Sequence, residues 1–266
     1  MTLVWWQIVL LAIVQGIAEF LPISSSGHLV VIAPLLFGST DSPEGISDLS
    51  IVLHLGTLGS ILVHYFKRVS ALLGEDRQIL ALLAIGTLPA VVVGLPLKLL
   101  FPAALESPLL AGVLLIVNGG VLYLVSRIPP KENTYQQLSI GKSLAIGVCQ
   151  AFAILPGLSR SGSTIAGGLS VGLSRSSAAT FSFLLAIPAI AGAGVLEALS
   201  MIRKSEPLST SPGLLLLGAA ISFVVGIVSL RLLEKLLASG RLPWFAIYSV
   251  IAGIAIVVWQ WQGAIE

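Results

Sequence analysis

Two short polar segments interrupt an otherwise apolar chain, and each carries side chains that can bind an anion or a cation. In the first polar segment, residues 15–28, Gln15 and Glu19 lie one helical turn apart and share one face of a helix. A carboxylate surrounded by hydrocarbon costs about 2.5–3.5 kcal/mol on insertion scales, so Glu19 is expected to face protein, water or a cation. Glu19 is therefore a candidate catalytic carboxylate.

Hydroxyl groups and an imidazole follow Glu19 within the same segment. The hydroxyls and backbone N–H groups precede a short helix predicted at 28–37, where the helix dipole favours an anion. His28 begins this helix and could act as base, acid or nucleophile near neutral pH. The candidate anion-binding residues here are Ser24, Ser26 and Gly27, and the candidate catalytic residues are Ser25 and His28.

The second polar segment, residues 156–164, contains Arg160. Apolar segments flank it on both sides, and it is the one arginine that the predicted membrane topology does not place at either surface. A guanidinium group is a planar fork that matches two phosphate oxygens at a time. We therefore expect Arg160 to clamp a phosphate; an ion pair with Glu19 that only holds the two segments together is the alternative. The hydroxyl groups around it, at another predicted helix start, are candidate substrate ligands: Ser159, Ser161 and Thr164.

The sequence leaves two kinds of nucleophile possible for attack on a bound phosphate: a side chain or a water molecule. Ser25 is the favoured nucleophile, with His28 three positions later as its base. Attack by a water polarised by Glu19 or by a metal would need no covalent step. For His54, farther along the chain, a structural position in the core and a supporting role at the site are both open.

The elements that must position these residues are membrane helices. The 266-residue chain is 56% hydrophobic and only 10% charged, unlike soluble domains, and its net charge of +2 indicates no nucleic-acid partner. Apolar runs able to cross about 30 Å of hydrocarbon recur along it. Six are predicted to span the membrane, at 51–66, 79–98, 109–126, 178–200, 212–236 and 244–262. The predicted fold is an all-α integral membrane protein with a single membrane domain over 1–266.

Two more apolar segments, 3–21 and 143–155, each lead into a proline, one of the polar segments and a shorter apolar helix (28–37 and 164–173). A loop at membrane depth is tolerated only where protein or a wet cavity satisfies its peptide groups. Both are therefore predicted to be re-entrant helix-loop-helix pairs.

The two polar segments also resemble each other at a shift of 135 positions. Identical pairs occur at Gln15 and Gln150, Ser24 and Ser159, Ser26 and Ser161, and Gly27 and Gly162. This similarity predicts a repeat, with one copy at about 1–126 and the other at about 143–262. The first pair would enter from one side of the membrane and the second from the other, which defines an inverted-topology repeat.

Basic residues indicate the orientation of these spans. If 51–66 runs inwards, ten of the 14 lysines and arginines lie at the inner face and three at the outer face, with Arg160 in the second polar segment. The predicted protein is therefore multi-pass, with both termini outside.

The two polar segments resemble the signatures of the bacitracin-resistance type of undecaprenyl pyrophosphate phosphatase. One signature has Glu or Gln, then Glu four residues later, then Leu-Pro, serine and Gly-His elements, as here from Gln15 to His28. The other is Pro-Gly-x-Ser-Arg-Ser-x-x-Thr, as here from Pro156 to Thr164. The likeness covers essentially the whole chain, including the stretch from His54 to Thr57.

This resemblance implies a fold of six spans with two re-entrant regions in the bacterial cytoplasmic (inner) membrane. The implied reaction is hydrolysis of undecaprenyl diphosphate to the monophosphate and inorganic phosphate, which recycles the carrier lipid for peptidoglycan and cell-wall synthesis. A divalent cation, Mg²⁺ or Ca²⁺, is also implied, with Gln15 and Glu19 as its candidate ligands. The resemblance further implies a site open to the outer face and a homodimer. The active-site residues implied are Glu19, Ser25, His28, Ser159, Arg160 and Thr164.

A different class of protein fits the same architecture. Inverted repeats with broken helices at the midplane are also typical of secondary transporters. The chain could accordingly be a transporter or flippase for a polyprenyl phosphate lipid or a small anion. The density of hydroxyl, imidazole and guanidinium groups in two short segments favours an enzyme, because binding alone would not need them.

Overall fold

A computed structural model describes residues 3–37, 46–129, 131–204 and 210–263 of the chain. Helices joined by short connections make up these residues, together with one isolated β-bridge between Asn133 and Leu173 and a 3₁₀ turn at Tyr135–Gln137. The α-helices in chain order are α1 (Trp5–Ala18), α2 (Ser25–Phe37), α3 (Ile46–His64), α4 (Phe66–Ala71), α5 (Arg77–Leu100), α6 (Pro102–Leu105), α7 (Pro108–Ser126), α8 (Ile140–Phe152), α9 (Arg160–Ser170), α10 (Arg175–Lys204), α11 (Pro212–Ala238) and α12 (Leu242–Gly263).

Five of these helices are long and apolar enough to cross a membrane: α5, α7, α10, α11 and α12. Shorter apolar helices accompany them, namely α1, α8 and the Leu49–His64 part of α3. Large apolar side chains such as Leu88, Leu124 and Val228 point away from the protein, as expected for surfaces that face hydrocarbon. The chain is thus an all-helical, multi-pass membrane protein.

The two short helices α2 and α9 begin earlier than the sequence predicts, at Ser25 instead of 28 and at Arg160 instead of 164. A serine hydroxyl caps each of them. Ser24 Oγ accepts from the backbone N–H of Gly27 at 3.2 Å, and Ser159 Oγ accepts from that of Gly162 at 3.1 Å. Such caps satisfy N–H groups that have no partner within the helix, so the helix extends back over the serines that follow the cap.

The first and second halves of the chain pack into each other rather than side by side. Helix α1 packs against α11 and α8 packs against α5, while α3 packs against both α11 and α10, and α7 packs against α12. Each short helix that precedes a polar segment is therefore supported by a long helix from the other half of the chain.

The buried core lies directly beneath the first polar segment. Phe20, the residue after Glu19, is fully buried, and its ring meets that of Phe183 edge to face with centroids 5.7 Å apart. Phe183 also stacks on Tyr65, with centroids 5.9 Å apart. This aromatic packing anchors the backbone that carries the carboxylate.

Candidate active site

The Glu19 carboxylate is the centre at which the two polar segments meet. It sits at the C-terminal end of α1 and is 7% exposed. Its Oε2 accepts from Gln15 Nε2 at 3.1 Å and from Ser25 Oγ at 2.8 Å, and its Oε1 accepts from Arg160 Nη2. One carboxylate thus holds the Ser25 hydroxyl of the first polar segment and the guanidinium of the second.

Arg160 engages Glu19 with only one of its two terminal nitrogens. The other, Nη1, is buried and has no hydrogen-bond partner among the described residues. A buried donor without a partner costs about 1–3 kcal/mol, and an anion in the adjoining cavity would remove that cost. The fork therefore has one nitrogen in the ion pair and one available for a phosphate oxygen, so the two roles considered for Arg160 are compatible.

The backbones of the two polar segments touch each other at two glycines. A Cβ on Gly27 would lie 2.9 Å from the Cα of Gly157, so any side chain there would push the segments apart. Gly157 has a φ of +98°, and a Cβ on it would meet the carbonyl oxygen of Ala111. Only glycine at both positions permits this contact.

Ser24 joins the two segments through the same contact. Its hydroxyl accepts from the Gly157 N–H at 3.1 Å in addition to capping α2, and its φ is +70°. A residue with a side chain rarely adopts this left-handed conformation, which persists where surrounding contacts hold it. The conformation of the turn before Ser25 therefore depends on the other half of the chain.

His28, also predicted to be catalytic, is hydrogen-bonded to groups other than the Ser25 hydroxyl. Its Nδ1 donates to the Ser24 carbonyl oxygen at 2.7 Å, and its Nε2 lies 2.7 Å from the Tyr248 hydroxyl, with the two rings stacked at 5.8 Å. Both ring nitrogens are therefore engaged. The base adjacent to Ser25 in this structure is Glu19.

His54, whose role the sequence leaves open, lies close to Glu19. Its Nε2 is 3.8 Å from Glu19 Oε2, while its Nδ1 donates to the Ser50 carbonyl oxygen at 2.7 Å. The second bond holds the ring so that Nε2 faces the carboxylate. His54 therefore lines the cavity beside Glu19 and is not buried in the core.

Most of the hydroxyls predicted to bind substrate are engaged with protein groups. Thr164 Oγ1 donates to the Arg160 carbonyl oxygen at 2.8 Å and lies 2.5 Å from Ser182 Oγ. Ser159 Oγ and Ser161 Oγ are 3.1 Å apart and buried. In this arrangement they shape the first turn of α9, whereas Ser25 and Ser26 of the first segment reach the cavity.

A cavity of about 760 Å³ opens beside Glu19. Its polar lining comes from Glu19, Ser25, Ser26, Ser50, His54, Glu106 and Arg160. Its apolar walls come from four helices, through residues that include Leu11 of α1, Leu29 of α2, Leu53 of α3 and Ile190 of α10. A polar end next to apolar walls fits an amphiphile with an anionic head.

Gln15 offers a further oxygen for a cation. Its Oε1 is buried without a hydrogen-bond partner among the described residues and belongs to the amide whose nitrogen contacts Glu19. Within the same residues there is no group of three or more His, Cys, Asp and Glu side chains that could hold a metal ion. This donor set fits Mg²⁺ bound mainly through substrate phosphates and water, not an all-protein metal cage.

Sequence reasoning missed two polar residues next to the site, Asn118 on α7 and Tyr248 on α12. Both lie inside long apolar helices, and Asn118 is only 2% exposed. A polar side chain inside a membrane-crossing helix usually faces the protein interior and finds a partner there. This rule, applied to the sequence, selects Asn118, whereas Tyr248 is 44% exposed and is not of this kind.

Comparison with known proteins covers nearly the whole chain. The sequence profile of the family described as Bacitracin resistance protein BacA matches residues 8–255. A protein of Rhodopirellula baltica named undecaprenyl-diphosphatase is 52% identical, over 95% of this chain and 96% of its own. Proteins of the same name from Desulforudis audaxviator (39% identical; 94% and 95% covered) and Corynebacterium efficiens (34%; 97% and 92%) are similar over comparable lengths. Since the profile and these relatives include both polar segments, the chain belongs to the bacitracin resistance protein BacA family.

Proposed function

We propose that this protein is an undecaprenyl-diphosphatase that removes the terminal phosphate of the lipid diphosphate and releases the monophosphate carrier used in peptidoglycan synthesis. The observation that carries the proposal is the contact of Ser25 with a buried Glu19 that also binds Arg160, at the polar end of an apolar-walled cavity. The names of the relatives and membership of the family support the same substrate.

The chemical step that best fits this geometry uses Ser25 as the nucleophile. Its oxygen attacks the terminal phosphorus while its proton passes to Glu19 Oε2, 2.8 Å away. The bond from phosphorus to the bridging oxygen breaks, and the lipid monophosphate leaves with the electron pair and takes up the proton from Glu19. Water then attacks the phosphoserine and gives a proton to the Glu19 carboxylate. The bond from phosphorus to Ser25 Oγ breaks, Oγ takes the proton back from Glu19, and inorganic phosphate is released.

Arg160 stabilises the charge that moves onto the phosphoryl oxygens. Its Nη1 is available for one of these oxygens while Nη2 keeps Glu19 in place. Phosphoryl transfer relies mainly on positioning and on electrostatic stabilisation of the transferred group. The N-termini of α2 and α9, which begin at Ser25 and Arg160, add positive potential at the same place.

A divalent cation, Mg²⁺ or Ca²⁺, is part of the proposal. Glu19 and the Gln15 Oε1 would hold it together with the substrate phosphates. When bound, the cation would neutralise charge on the diphosphate, so that Arg160 need not do so alone.

The proposed membrane arrangement has α3 as a sixth crossing helix, the α1–α2 and α8–α9 pairs as re-entrant elements, and both termini outside. Matched caps support the inverted repeat: Ser24 bonds to Gly27 and Ser159 bonds to Gly162, each pair 135 positions from the other. The reciprocal packing of α1 on α11 and of α8 on α5 has the same symmetry. In this arrangement the cavity opens outwards, and the homodimer implied by the family stays a prediction.

A cysteine introduced at Lys131, in the connection between α7 and α8, tests this orientation. We expect a membrane-impermeant maleimide to label it only after the membrane is opened, because the basic residues assign this connection to the inner face. A cysteine at Ala103, which is exposed on α6 between α5 and α7, is the matched control and should react from outside. Labelling of the Lys131 position in intact cells would reverse the proposed topology.

Release of phosphate from undecaprenyl diphosphate by the purified protein tests the function itself. We expect turnover in detergent or vesicles, loss of turnover with excess EDTA, and recovery when Mg²⁺ is restored. A transporter would move lipid between the leaflets of vesicles without releasing phosphate, and that result would overturn the enzyme proposal. Full activity in EDTA would contradict only the cation.

A further inference from the structure

Asn118 is a single side chain that contacts both polar segments. It lies within α7, 2% exposed. Its Nδ2 donates to the Pro22 carbonyl oxygen at 3.0 Å, and its Oδ1 accepts from the Ser159 backbone N–H at 3.2 Å. One amide thus binds the backbone of the first segment through its nitrogen and that of the second through its oxygen.

Both backbone groups lie next to reacting residues. Pro22 is three residues before Ser25, and Ser159 directly precedes Arg160. A displacement of either segment along α7 would therefore change the distance between the attacking oxygen and the guanidinium fork. Backbone groups at membrane depth also need partners from within the protein, which makes this amide costly to replace by an apolar group.

The third contact of Asn118 fixes the amide to a rigid frame. Its Nδ2 also donates to Ser249 Oγ on α12, at 3.1 Å, and α7 and α12 are long helices packed against each other. Sites are held most accurately when they rest on rigid helices rather than on other loops. Both polar segments are therefore hydrogen-bonded to the same support, the α7–α12 helix pair, which lies outside both of them.

We propose that Asn118 is a positioning residue that holds Ser25 and Arg160 in register for phosphoryl transfer. This inference rests on the proposed phosphatase function. Asn118 does not line the cavity, so its contribution should be to turnover and not to binding of the lipid.

The first test replaces the amide with an apolar group of similar size, Asn118→Leu. Small misplacements of reacting groups cost about 100-fold in rate, so we expect kcat to fall by about that factor while KM changes by less than about threefold. Thr87→Val is the matched control, because it also replaces a hydrogen-bonding group inside a long helix with an apolar one, removing the 2.7 Å bond to the Leu83 carbonyl oxygen, and leaves all three contacts of Asn118 in place. It should keep most of the activity.

The second test, Asn118→Asp, gives a readout that packing alone would not produce. A protonated carboxyl can donate to the Pro22 carbonyl and accept from the Ser159 N–H, as the amide does, whereas a carboxylate can only accept. The kcat of Asn118→Asp relative to wild type should therefore rise as the pH falls. The wild-type amide does not titrate, so the ratio isolates the introduced group.

The outcomes separate this inference from the function on which it rests. If the wild type releases no phosphate, the phosphatase function and the positioning role both fall. If the wild type is active and folded Asn118→Leu keeps kcat within about threefold, only the positioning role is wrong. The same holds if the activity ratio of Asn118→Asp is independent of pH, a measurement that remains decisive should Asn118→Leu not fold.

Discussion

Replacing Ser25 with alanine is expected to abolish turnover, with a loss of roughly 10⁴-fold or more, because the variant has no oxygen to attack the phosphorus. The fold should tolerate the change, since Ser25 begins α2 but the cap of that helix is Ser24. The measurement is phosphate release by the purified variant, with its thermal unfolding followed in parallel.

Ser26→Ala is the matched control for this experiment. Ser26 is the next residue and lines the same cavity as a candidate substrate contact, so Ser26→Ala should weaken binding of the phosphate but lose far less turnover than Ser25→Ala. A wild-type reaction quenched early should also carry labelled phosphate on Ser25. Substantial turnover by folded Ser25→Ala would exclude the serine and leave a water activated by Glu19 as the nucleophile.

Arg160→Lys should lose most activity although the positive charge is kept. The guanidinium holds Glu19 through Nη2 and has Nη1 free of partners among the described residues, whereas a single ammonium group cannot copy both directions. We expect kcat/KM to fall by about 100-fold or more, in the range found when one preorganised donor is lost from an active site.

Arg175→Lys is the control for that variant. Arg175 is the first residue of α10 and lies outside the cavity lining, so the same substitution there should leave kcat/KM near the wild-type value. Near wild-type turnover by Arg160→Lys would mean that the site needs only a positive charge, and the proposed fork geometry would be wrong.

Much of what the sequence predicts correctly about the helices rests on local periodicity. The long apolar runs predicted as spans coincide with helices, and the i, i+4 spacing of Gln15 and Glu19 produces their hydrogen bond at 3.1 Å. The similarity at a shift of 135 positions also has a counterpart in the matched serine caps of α2 and α9. These features depend on residues within one or two helical turns, which is why the sequence alone can express them.

The base next to Ser25 could not be predicted in the same way. Sequence spacing favoured His28, but the turn at Ser24 takes a φ of +70° and directs His28 towards Tyr248 on α12. The Ser24 hydroxyl is bound by the N–H of Gly157, more than a hundred residues away. A local pattern does not contain the contact that helps to fix this turn.

By itself, then, the sequence determined the membrane class, the positions of the long apolar helices, and the two polar segments that carry the carboxylate, the serines and the arginine. Only the tertiary structure decided how these groups pair: Ser25 with Glu19, Glu19 with Arg160, and both segments with Asn118. The physical reason is the separation along the chain of the residues that interact. Helix formation and capping follow from neighbouring residues, whereas these pairings depend on how α7 and the two halves of the chain pack, which brings groups from distant positions within hydrogen-bond distance.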